Sequence, residues 1–399
     1  MSQYASPLPT TAIGLDPYGF ATAHLSQPAL AALDNLRAVL DRDVVPLMGH
    51  AWDTASLPAG ILDTLIPLNL MTPHGVDPQE AGSSMFSGFR NYVLARADVS
   101  VATLYNAQSG LFRATITHGG SPQQAATLDP RISSFDLTGC FALTEPDHGS
   151  DVAGGMETTA SRSGDTWTIN GAKRWIGAAD SMDVHAVFAR DTADNHVKCF
   201  IVPRTAPGVS YQIITGKVAL RPMQNSTITY SNVTVSESDR LQRVNSWRDV
   251  ARILRVMRSD VAWIATGLQA GALDATLRYV TSRQQFGRPL AGFQLIQEKV
   301  ARMYGNLLSS LGIVTRLSAM QDQGQYADEN SAIAKMQTAL LARETAALGR
   351  EVAGGNGILL ENDIARFFAD AEAVYSYEGT HEINSLIVGR ALTGTSAFV

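Results

Sequence analysis

A carboxylate near the carboxyl end of the chain has the surroundings of a general base. Glu378 lies in the segment YEGT, residues 377–380, between two stretches with helical spacing. The residues flanking Glu378 are apolar or aromatic: Val374, Tyr375, Tyr377 and Ile383. Neighbours of this kind keep water away from a carboxylate and raise its pKa, which suits proton abstraction. A solvent-exposed glutamate is the alternative that this segment leaves open.

Two further segments could hold an oxygen-rich or phosphate-bearing ligand. Residues 141–151 read FALTEPDHGSD, which brings hydroxyl and backbone N–H groups into one polar turn. Residues 351–358 read EVAGGNGI, so that three glycines follow a helical run. One glycine is enough to end a helix, whereas several let the backbone approach a ligand closely. A plain surface loop and a helix cap are the alternatives, and the glycines do not form a dinucleotide-binding GxGxxG motif.

Composition excludes several classes of protein. The 399 residues are 45% hydrophobic and only 17% charged, so the chain is not disordered. Its net charge of -6 argues against nucleic acid as the main partner. The two cysteines, Cys140 and Cys199, have neither disulfide-framework nor zinc-ligand spacing, so we expect two buried thiols and no metal.

The sequence shows neither a signal peptide nor a membrane-spanning stretch. The first residues lack the basic and apolar regions of a signal peptide. No stretch approaches 18 uninterrupted apolar residues, which predicts no membrane span. The chain is therefore expected to be cytoplasmic.

The elements that must position these segments follow from hydrophobic periodicity. Residues 1–28, interrupted by Pro7, Pro9, Pro17 and Pro28, are expected to be irregular. Residues 29–138 show helical spacing and predict an N-terminal helical domain, and residues 247–399 predict a C-terminal helical bundle. Residues 139–246 are rich in Thr, Val and Ile and predict a central β-domain. The fold class is therefore α+β. The apolar positions that mark the first and last of these helical regions include Leu30, Leu33, Leu36 and Leu40, and Leu295, Ile296, Val300, Met303, Leu307, Leu311 and Val314.

Within the β-domain, Asn170-Gly171 between two strand-like runs predicts a tight hairpin turn. Residues 184–189, 197–202 and 226–235 predict further strands. The adjacent Lys173 and Arg174 are expected on a solvated strand face.

Four segments, in this order and spacing, resemble the acyl-CoA dehydrogenase family. They are LTEPDHGSD (143–151), RQQFG (283–287), residues 351–370 and YEGTHEINSLIVGRALTG (377–394). The runs KRWIG, VNSW, VAWIATG and SYEGTHEIN are similar to the glutaryl-CoA dehydrogenase and plant-type short-chain acyl-CoA oxidase branch. The resemblance implies bound FAD, a homotetramer, and an N-terminal helical domain, central β-domain and C-terminal four-helix bundle.

The resemblance also implies roles for individual residues. Glu378 would be the catalytic base, removing the α-proton while flavin N5 takes the β-hydride. The substrate would lie near Ser150, Arg258, Tyr377 and Gly379. FAD would be contacted by Leu143, Thr144, Ser150, Trp175 and Ile176, by Thr380 and Glu382, and, from a neighbouring subunit, by Arg283, Phe286, Gln294, Glu351, Gly354 and Gly355.

Two positions depart from the family pattern. Gly177 stands where a threonine is common, which removes a hydroxyl donor and is expected to open space beside the flavin. Ala102 stands where glutaryl-CoA dehydrogenases have an arginine for the distal carboxylate. The expected activity is α,β-desaturation of a short-chain monocarboxylic acyl-CoA in fatty acid metabolism, with electron-transfer flavoprotein or O₂ as acceptor. An acyl-CoA oxidase, a desaturase of carrier-protein thioesters and a non-catalytic scaffold are the alternatives.

Overall fold

The computed structural model describes residues 8–397, and these form two compact units. Unit 1 comprises the described residues up to Thr103, the short segment Val218–Pro222 and the residues from Arg258 onward. Unit 2 comprises Leu104–Lys217 and Met223–Met257.

Helices account for most of the chain on either side of a strand-rich middle. The α-helices are α1 (Phe20–His24), α2 (Gln27–Val39), α3 (Val45–Thr54), α4 (Ile61–Leu65), α5 (Pro78–Ala81), α6 (Ser84–Ala97), α7 (Val99–Asn106), α8 (Arg113–Gly119), α9 (Pro122–Ser133), α10 (Val152–Gly155), α11 (Trp247–Ser282), α12 (Gln294–Asp322), α13 (Asp328–Val352), α14 (Ile364–Ser376) and α15 (His381–Thr393). Shorter 3-10 or π-helical turns occur at Leu40–Val44, Ile66–Leu68, Ala107–Phe112, Glu237–Asp239, Leu290–Gly292, Gly354–Ile358 and Leu360–Asn362.

The strands are mostly antiparallel. They are β1 (Thr10–Thr11), β2 (Gly14–Leu15), β3 (Gly139–Ala142), β4 (Thr159–Ser163), β5 (Thr166–Gly177), β6 (Val184–Asp191), β7 (Val197–Pro203), β8 (Val209–Ile213), β9 (Asn225–Ser236), β10 (Gln284–Gln285) and β11 (Arg288–Pro289). This order confirms an α+β fold with helical terminal regions and a central sheet.

The N-terminal segment is more ordered than the sequence predicts. Strands β1 and β2 pair within it, and α1 and the start of α2 follow. Pro28 does not break a helix, because it lies in the first turn of α2, where a missing N–H removes no helical hydrogen bond. Ser26 caps this helix by accepting from the Ala29 N–H at 3.4 Å. Residues 1–7 lie outside the described part of the chain.

The helical stripes predicted from periodicity are confirmed in unit 1. Leu30, Leu33, Leu36 and Leu40 are buried on the face of α2 and the turn after it. On α12, the later stripe positions are buried, whereas Leu295 in the first turn is 75% exposed.

A buried ion pair positions helix α14, which leads to Glu378. The guanidinium of Arg366 on α14 donates to the carboxylate of Asp98, and both side chains are 1% exposed. Asp98 also accepts from the backbone N–H groups of Ser100 and Val101 at 2.8 and 3.1 Å, so it caps α7. Arg366 donates a further bond to Asp363 at 2.8 Å. The pair thus fixes α14 to the start of α7.

Unit 2 contains a seven-stranded sheet in the order β3-β6-β4-β5-β9-β8, with β7 pairing with β6. Its strands begin at Gly139, and the predicted strands at 184–189, 197–202 and 226–235 are confirmed. Cys140 and Cys199 are buried and unbridged, as expected.

The hairpin predicted at Asn170-Gly171 is wrong. Strand β5 runs through both residues, with an irregularity in its pairing to β9 between Ile169 and Gly171. A Cβ at Gly171 would lie 2.6 Å from the backbone Cα of Thr158, so this glycine permits close approach rather than a turn. The turn that joins β4 to β5 lies at Gly164, whose φ is 59°.

Two absences concern the described residues only. None of the helices between residues 8 and 397 combines the length and apolar character needed to cross a bilayer. Across the same residues, no three His, Cys, Asp or Glu side chains are grouped so as to hold a metal ion.

Candidate active site

Glu378 lies in the tight turn between α14 and α15 in unit 1. Its φ is 55°, an uncommon value for a non-glycine residue, and Gly379 follows with φ 84°. Thr380 then caps α15 by accepting from the Ile383 N–H at 3.3 Å. The buried Asn384 donates to the carbonyl of Gly379 at 2.9 Å. The turn is therefore held from both sides in a conformation that the chain alone would disfavour.

The carboxylate of Glu378 is half-buried among charged side chains. Burial raises its pKa, as the sequence predicts, while the cations Arg258 and Lys335 act in the opposite direction. Burial also raises the pKa of Asp260, to about 7, and the charge of Glu378 contributes to that rise, although Arg90 lowers it. Charged groups on three elements, the turn, α11 and α13, are thus coupled around Glu378, a combination typical of sites that move protons.

Other predicted residues of this site occupy the same turn or the helix that faces it. Tyr377 and Gly379 flank the base directly. Arg258, predicted near the substrate, lies on α11 and acts on the charge of Glu378. Glu382 is exposed in the first turn of α15.

In unit 2, the strand β5 exposes a tryptophan. Trp175 is 52% exposed with φ 66°, at an irregularity in the β5–β9 pairing between Lys173 and Ile176. The Asn225 side-chain amide donates to its carbonyl at 3.2 Å. The guanidinium of Arg174 lies 5.2 Å from its ring centroid. An exposed, anchored indole of this kind is suited to packing against a planar ring system.

Ile176, the other residue of β5 predicted to contact FAD, is buried, unlike Trp175. Its side chain is only 3% exposed and packs in the core of the sheet. A contact between this residue and a ligand would therefore come from its backbone.

The polar turn after β3 is anchored by a buried ion pair. The prediction that Lys173 lies on a solvated strand face is wrong, because its side chain is 0% exposed. Its Nζ donates to the carbonyl of Leu143 at 2.9 Å and to the carboxylate of Glu145 at 2.8 Å. Glu145 also accepts from the Glu157 and Thr158 N–H groups at 2.6 and 3.0 Å.

This anchoring determines which groups of the turn face outward. The carbonyl of Thr144 is occupied by the N–H of Arg174 at 2.8 Å, and the residue is half-buried. Leu143 is buried, whereas Ser150 is exposed further along the turn. Of the predicted ligand contacts here, the hydroxyls of Thr144 and Ser150 are thus the accessible side-chain groups.

The expectation that Gly177 opens space is also wrong. A Cβ at this position would lie 2.5 Å from the Cε of Met223, which is 1% exposed. The methionine side chain therefore fills the volume that a side chain at 177 would take.

The remaining predicted residues belong to unit 1 and lie on exposed turns. The two-stranded hairpin of β10 and β11 carries Phe286 at its tip, with φ 52° and 92% of the residue exposed. Arg283 and Gln294 flank the hairpin and are exposed. Glu351 lies at the end of α13, where its carboxylate forms an ion pair with Lys299 at 3.1 Å.

The glycine segment after α13 is open on its outer side. Gly354 has φ 59°, and a Cβ on Gly354 or Gly355 would meet no atom within 4 Å. Tyr279 donates to the carbonyl of Ala353 at 3.4 Å, and Asn356 donates to the Tyr279 hydroxyl at 2.8 Å. This hydrogen bonding holds the segment in place while leaving Gly354 and Gly355 accessible, whereas Gly357 is buried against the backbone of Arg350.

These features fit FAD. Exposed aromatic side chains such as Trp175 and Phe286 suit its ring systems, and Arg283 with an open glycine segment suits its pyrophosphate. Sequence reasoning missed Lys335 and Asp260, which lie on helices remote in sequence from the YEGT segment. One available signal was the position of Lys335 in a buried stripe of small residues on α13, with Ala332, Ala339, Ala342 and Ala346.

Comparison with known proteins follows the same division of the chain. Residues 140–233 match the model of the acyl-CoA dehydrogenase middle domain, and residues 247–393 match that of the acyl-CoA dehydrogenase C-terminal domain. The mitochondrial short-chain specific acyl-CoA dehydrogenase of Mus musculus is 29% identical over 299 residues, which cover 74% of this chain and 72% of the relative.

Two solved structures from Mycobacterium smegmatis match nearly the whole chain. A glutaryl-CoA dehydrogenase is 34% identical with a TM-score of 0.88, covering 98% of this chain and 100% of the other. A glutaryl-CoA dehydrogenase in complex with FADH2 is 29% identical with a TM-score of 0.89 and the same coverage. The family models together span more than half of the residues. The chain therefore belongs to the acyl-CoA dehydrogenase family, whose members are FAD-dependent oxidoreductases that dehydrogenate acyl-CoA thioesters.

Proposed function

We propose that this enzyme introduces a double bond between Cα and Cβ of a short-chain monocarboxylic acyl-CoA, with Glu378 as the base that removes the α-proton. The observation that carries the proposal is the half-buried Glu378 carboxylate, whose pKa burial raises. A carboxylate with a raised pKa is a stronger base for proton abstraction. Bound FAD supplies N5 as the acceptor of the β-hydride.

The backbone of the same residue has a second role in the proposal. Among the residues that the structure describes, no acceptor pairs with the Glu378 N–H. This group is therefore available to donate to the thioester carbonyl and to stabilise the charge that develops there as the α-proton leaves. Arg258 and Lys335 add positive charge that acts on Glu378. The proton is held on the Glu378 carboxylate after its transfer.

The test is rapid mixing of Glu378→Gln with acyl-CoA substrates. The amide keeps the shape of the side chain but cannot accept the proton, so flavin reduction should slow by at least about a hundredfold. Glu372→Gln is the matched control, because Glu372 is an exposed carboxylate on α14 paired with Arg343 at 2.8 Å. Equal reduction rates in Glu378→Gln and wild type, with normal flavin content, would place the base elsewhere.

Ala102 supports a monocarboxylic substrate. This residue is 0% exposed and has no group that could pair with a distal carboxylate. The similarity to a short-chain specific enzyme agrees with that preference, although the two solved structures from Mycobacterium smegmatis are named for glutaryl-CoA. We expect faster flavin reduction by butyryl-CoA than by glutaryl-CoA. Faster reduction by glutaryl-CoA, with release of CO₂, would contradict the assignment.

The proposed electron acceptor is an electron-transfer flavoprotein, and O₂ is the competing acceptor because Gly177 offers no hydroxyl beside the flavin. Measuring hydrogen peroxide during turnover of butyryl-CoA under air distinguishes the two acceptors. Peroxide formed at a rate matching enoyl-CoA production would identify an oxidase. Stalled turnover that an electron-transfer flavoprotein restores would identify a dehydrogenase.

The proposed assembly is a homotetramer in which hairpin β10–β11 reaches a neighbouring subunit. Its support is the 92% exposure of Phe286 at the tip of the hairpin, which leaves the ring available to a neighbouring subunit. Light scattering of the purified protein tests the assembly. A colourless monomer at micromolar concentration after FAD addition would refute it.

A further inference from the structure

Lys335 is a fully buried lysine in unit 1 whose contacts lie beside the proposed base. It belongs to α13 and is 0% exposed. Its Nζ donates to two backbone carbonyls, those of Tyr375 and Gly379, each at 2.8 Å. Burial of an ammonium is costly, so its retention inside the bundle calls for a specific use.

The two carbonyls bracket Glu378 along the chain. Tyr375 is in the last turn of α14, where carbonyl groups lack a partner within the helix. The carbonyl of Gly379 immediately follows the base and also accepts from Asn384 at 2.9 Å. One ammonium therefore joins the end of α14 to the turn that gives Glu378 its φ of 55°.

We propose that Lys335 is the positioning residue of the catalytic base: its ammonium fixes the carbonyls on both sides of Glu378 and thereby sets the direction of the carboxylate and the N–H of that residue. This inference rests on the proposed role of Glu378. Lys335 touches no reacting atom and acts on the base through the turn that it holds and through its charge.

The charge of Lys335 adds an electrostatic effect in the same place. Burial lowers the pKa of Lys335 to about 8, with Glu378 and Glu382 opposing this and Arg258 adding to it. The ammonium is thus largely protonated at pH 7 and, with Arg258, counteracts the rise that burial causes in the pKa of Glu378. The charge of Glu378 also raises the pKa of Asp260 on α11 and that of the adjacent Tyr377.

The experiment records flavin reduction by butyryl-CoA against pH for wild type, Lys335→Met, Lys335→Gln and Lys335→Arg. Lys335→Met and Lys335→Gln remove the cation that favours ionised Glu378, so the acid limb of the rate profile should move to higher pH. A shift of about one pH unit is expected, the low end of the effect of a neighbouring opposite charge. Lys335→Arg retains a cation and should keep the wild-type limb. Lys198→Met is the matched control, since Lys198 is 7% exposed and pairs with Asp194 in unit 2.

The variants separate positioning from a general effect on stability. Melting temperature and flavin content are measured for all of them, and a purely structural lysine would change these without moving the pH limb. If Lys335→Met does not fold, Lys335→Gln decides, because its amide keeps hydrogen-bond donors and removes only the charge.

Two different outcomes would contradict the role of Lys335 and the role of Glu378 separately. An unchanged limb in Lys335→Gln, together with a slow Glu378→Gln enzyme, overturns the inference about Lys335 alone. A fast Glu378→Gln enzyme overturns the proposed base itself.

Discussion

The ammonium of Lys173 and the carboxylate of Glu145 form a buried ion pair with Nζ and Oε1 2.8 Å apart. Their side chains are 0% and 3% exposed. The pair ties strand β5, just before Trp175, to the polar turn that contains Thr144. Burial lowers the pKa of Lys173 to about 8, and Glu145 limits that fall. The pair therefore remains charged at neutral pH and fixes two segments proposed to contact FAD.

Removing one partner of this pair should be strongly destabilising. Lys173→Met leaves Glu145 charged and buried, and the loss of one partner of a buried pair costs about 3–5 kcal/mol. Urea denaturation of wild type and variant measures the difference. Lys198→Met provides the comparison, because the carboxylate of its partner Asp194 is 43% exposed and such pairs contribute at most about 1 kcal/mol. Equal losses in the two variants would contradict a special role for Lys173.

Replacing Glu378 should shift the titration of Asp260. The charge of Glu378 contributes to the rise in the pKa of Asp260 to about 7. Glu378→Gln removes this charge, so the pKa of Asp260 should fall, by on the order of one unit. Difference infrared spectra of Glu378→Gln against Glu378→Gln/Asp260→Asn, recorded from pH 5 to 9, follow the Asp260 carboxyl. A titration that moves upward, or stays in place, would show that the charge of Glu378 does not act on Asp260.

Trp175 should matter for the cofactor more than for folding. Its side chain is 52% exposed, so Trp175→Ala should change the free energy of unfolding of the apoprotein by roughly 0.5 kcal/mol or less. Lost ring packing of about 0.5–1.5 kcal/mol should weaken FAD binding by roughly twofold to tenfold, and Trp175→Phe should recover part of it. Titration of apoprotein with FAD gives the affinities. Tyr18→Ala, at another exposed aromatic, is the control.

A side chain at position 177 should conflict with Met223. A new Cβ would lie 2.5 Å from the methionine Cε, the end of a flexible side chain that can shift, so the cost should lie at the low end of the about 1–3 kcal/mol typical of overpacking. Gly177→Thr should therefore destabilise the wild type more than it destabilises Met223→Ala. Thermal unfolding of the two single variants and the double variant measures this coupling. Additive losses would mean that Met223 does not occupy the space beside Gly177.

Local patterns predicted much of the fold because they report on single elements. The stripes of α2 and α12 and the change to strands at Gly139 follow from periodicity over neighbouring residues. Lys173 was assigned to the wrong face because a turn was predicted at Asn170-Gly171, which ended the alternation of Trp167 and Ile169. Without that turn, the same alternation continues to the buried Lys173.

The environment of Glu378 could be predicted only in part. Its own segment indicates an apolar setting and a raised pKa. Lys335 and Asp260 come from α13 and α11, and their effect on Glu378 depends on how helices pack, which no short segment encodes. Their sequence surroundings do not differ from those of ordinary helical residues, apart from the lysine within a stripe of buried alanines.

The ion pair of Arg366 with Asp98 joins residues 268 positions apart in the chain. During synthesis, Asp98 leaves the ribosome long before its partner exists, and an unpaired carboxylate resists burial. The core of unit 1 therefore cannot close until α14 has been translated. Unit 2 has almost all of its residues between Leu104 and Met257 and can form earlier. Biogenesis is thus ordered, with the strand-rich unit complete first and the segment bearing the base added last.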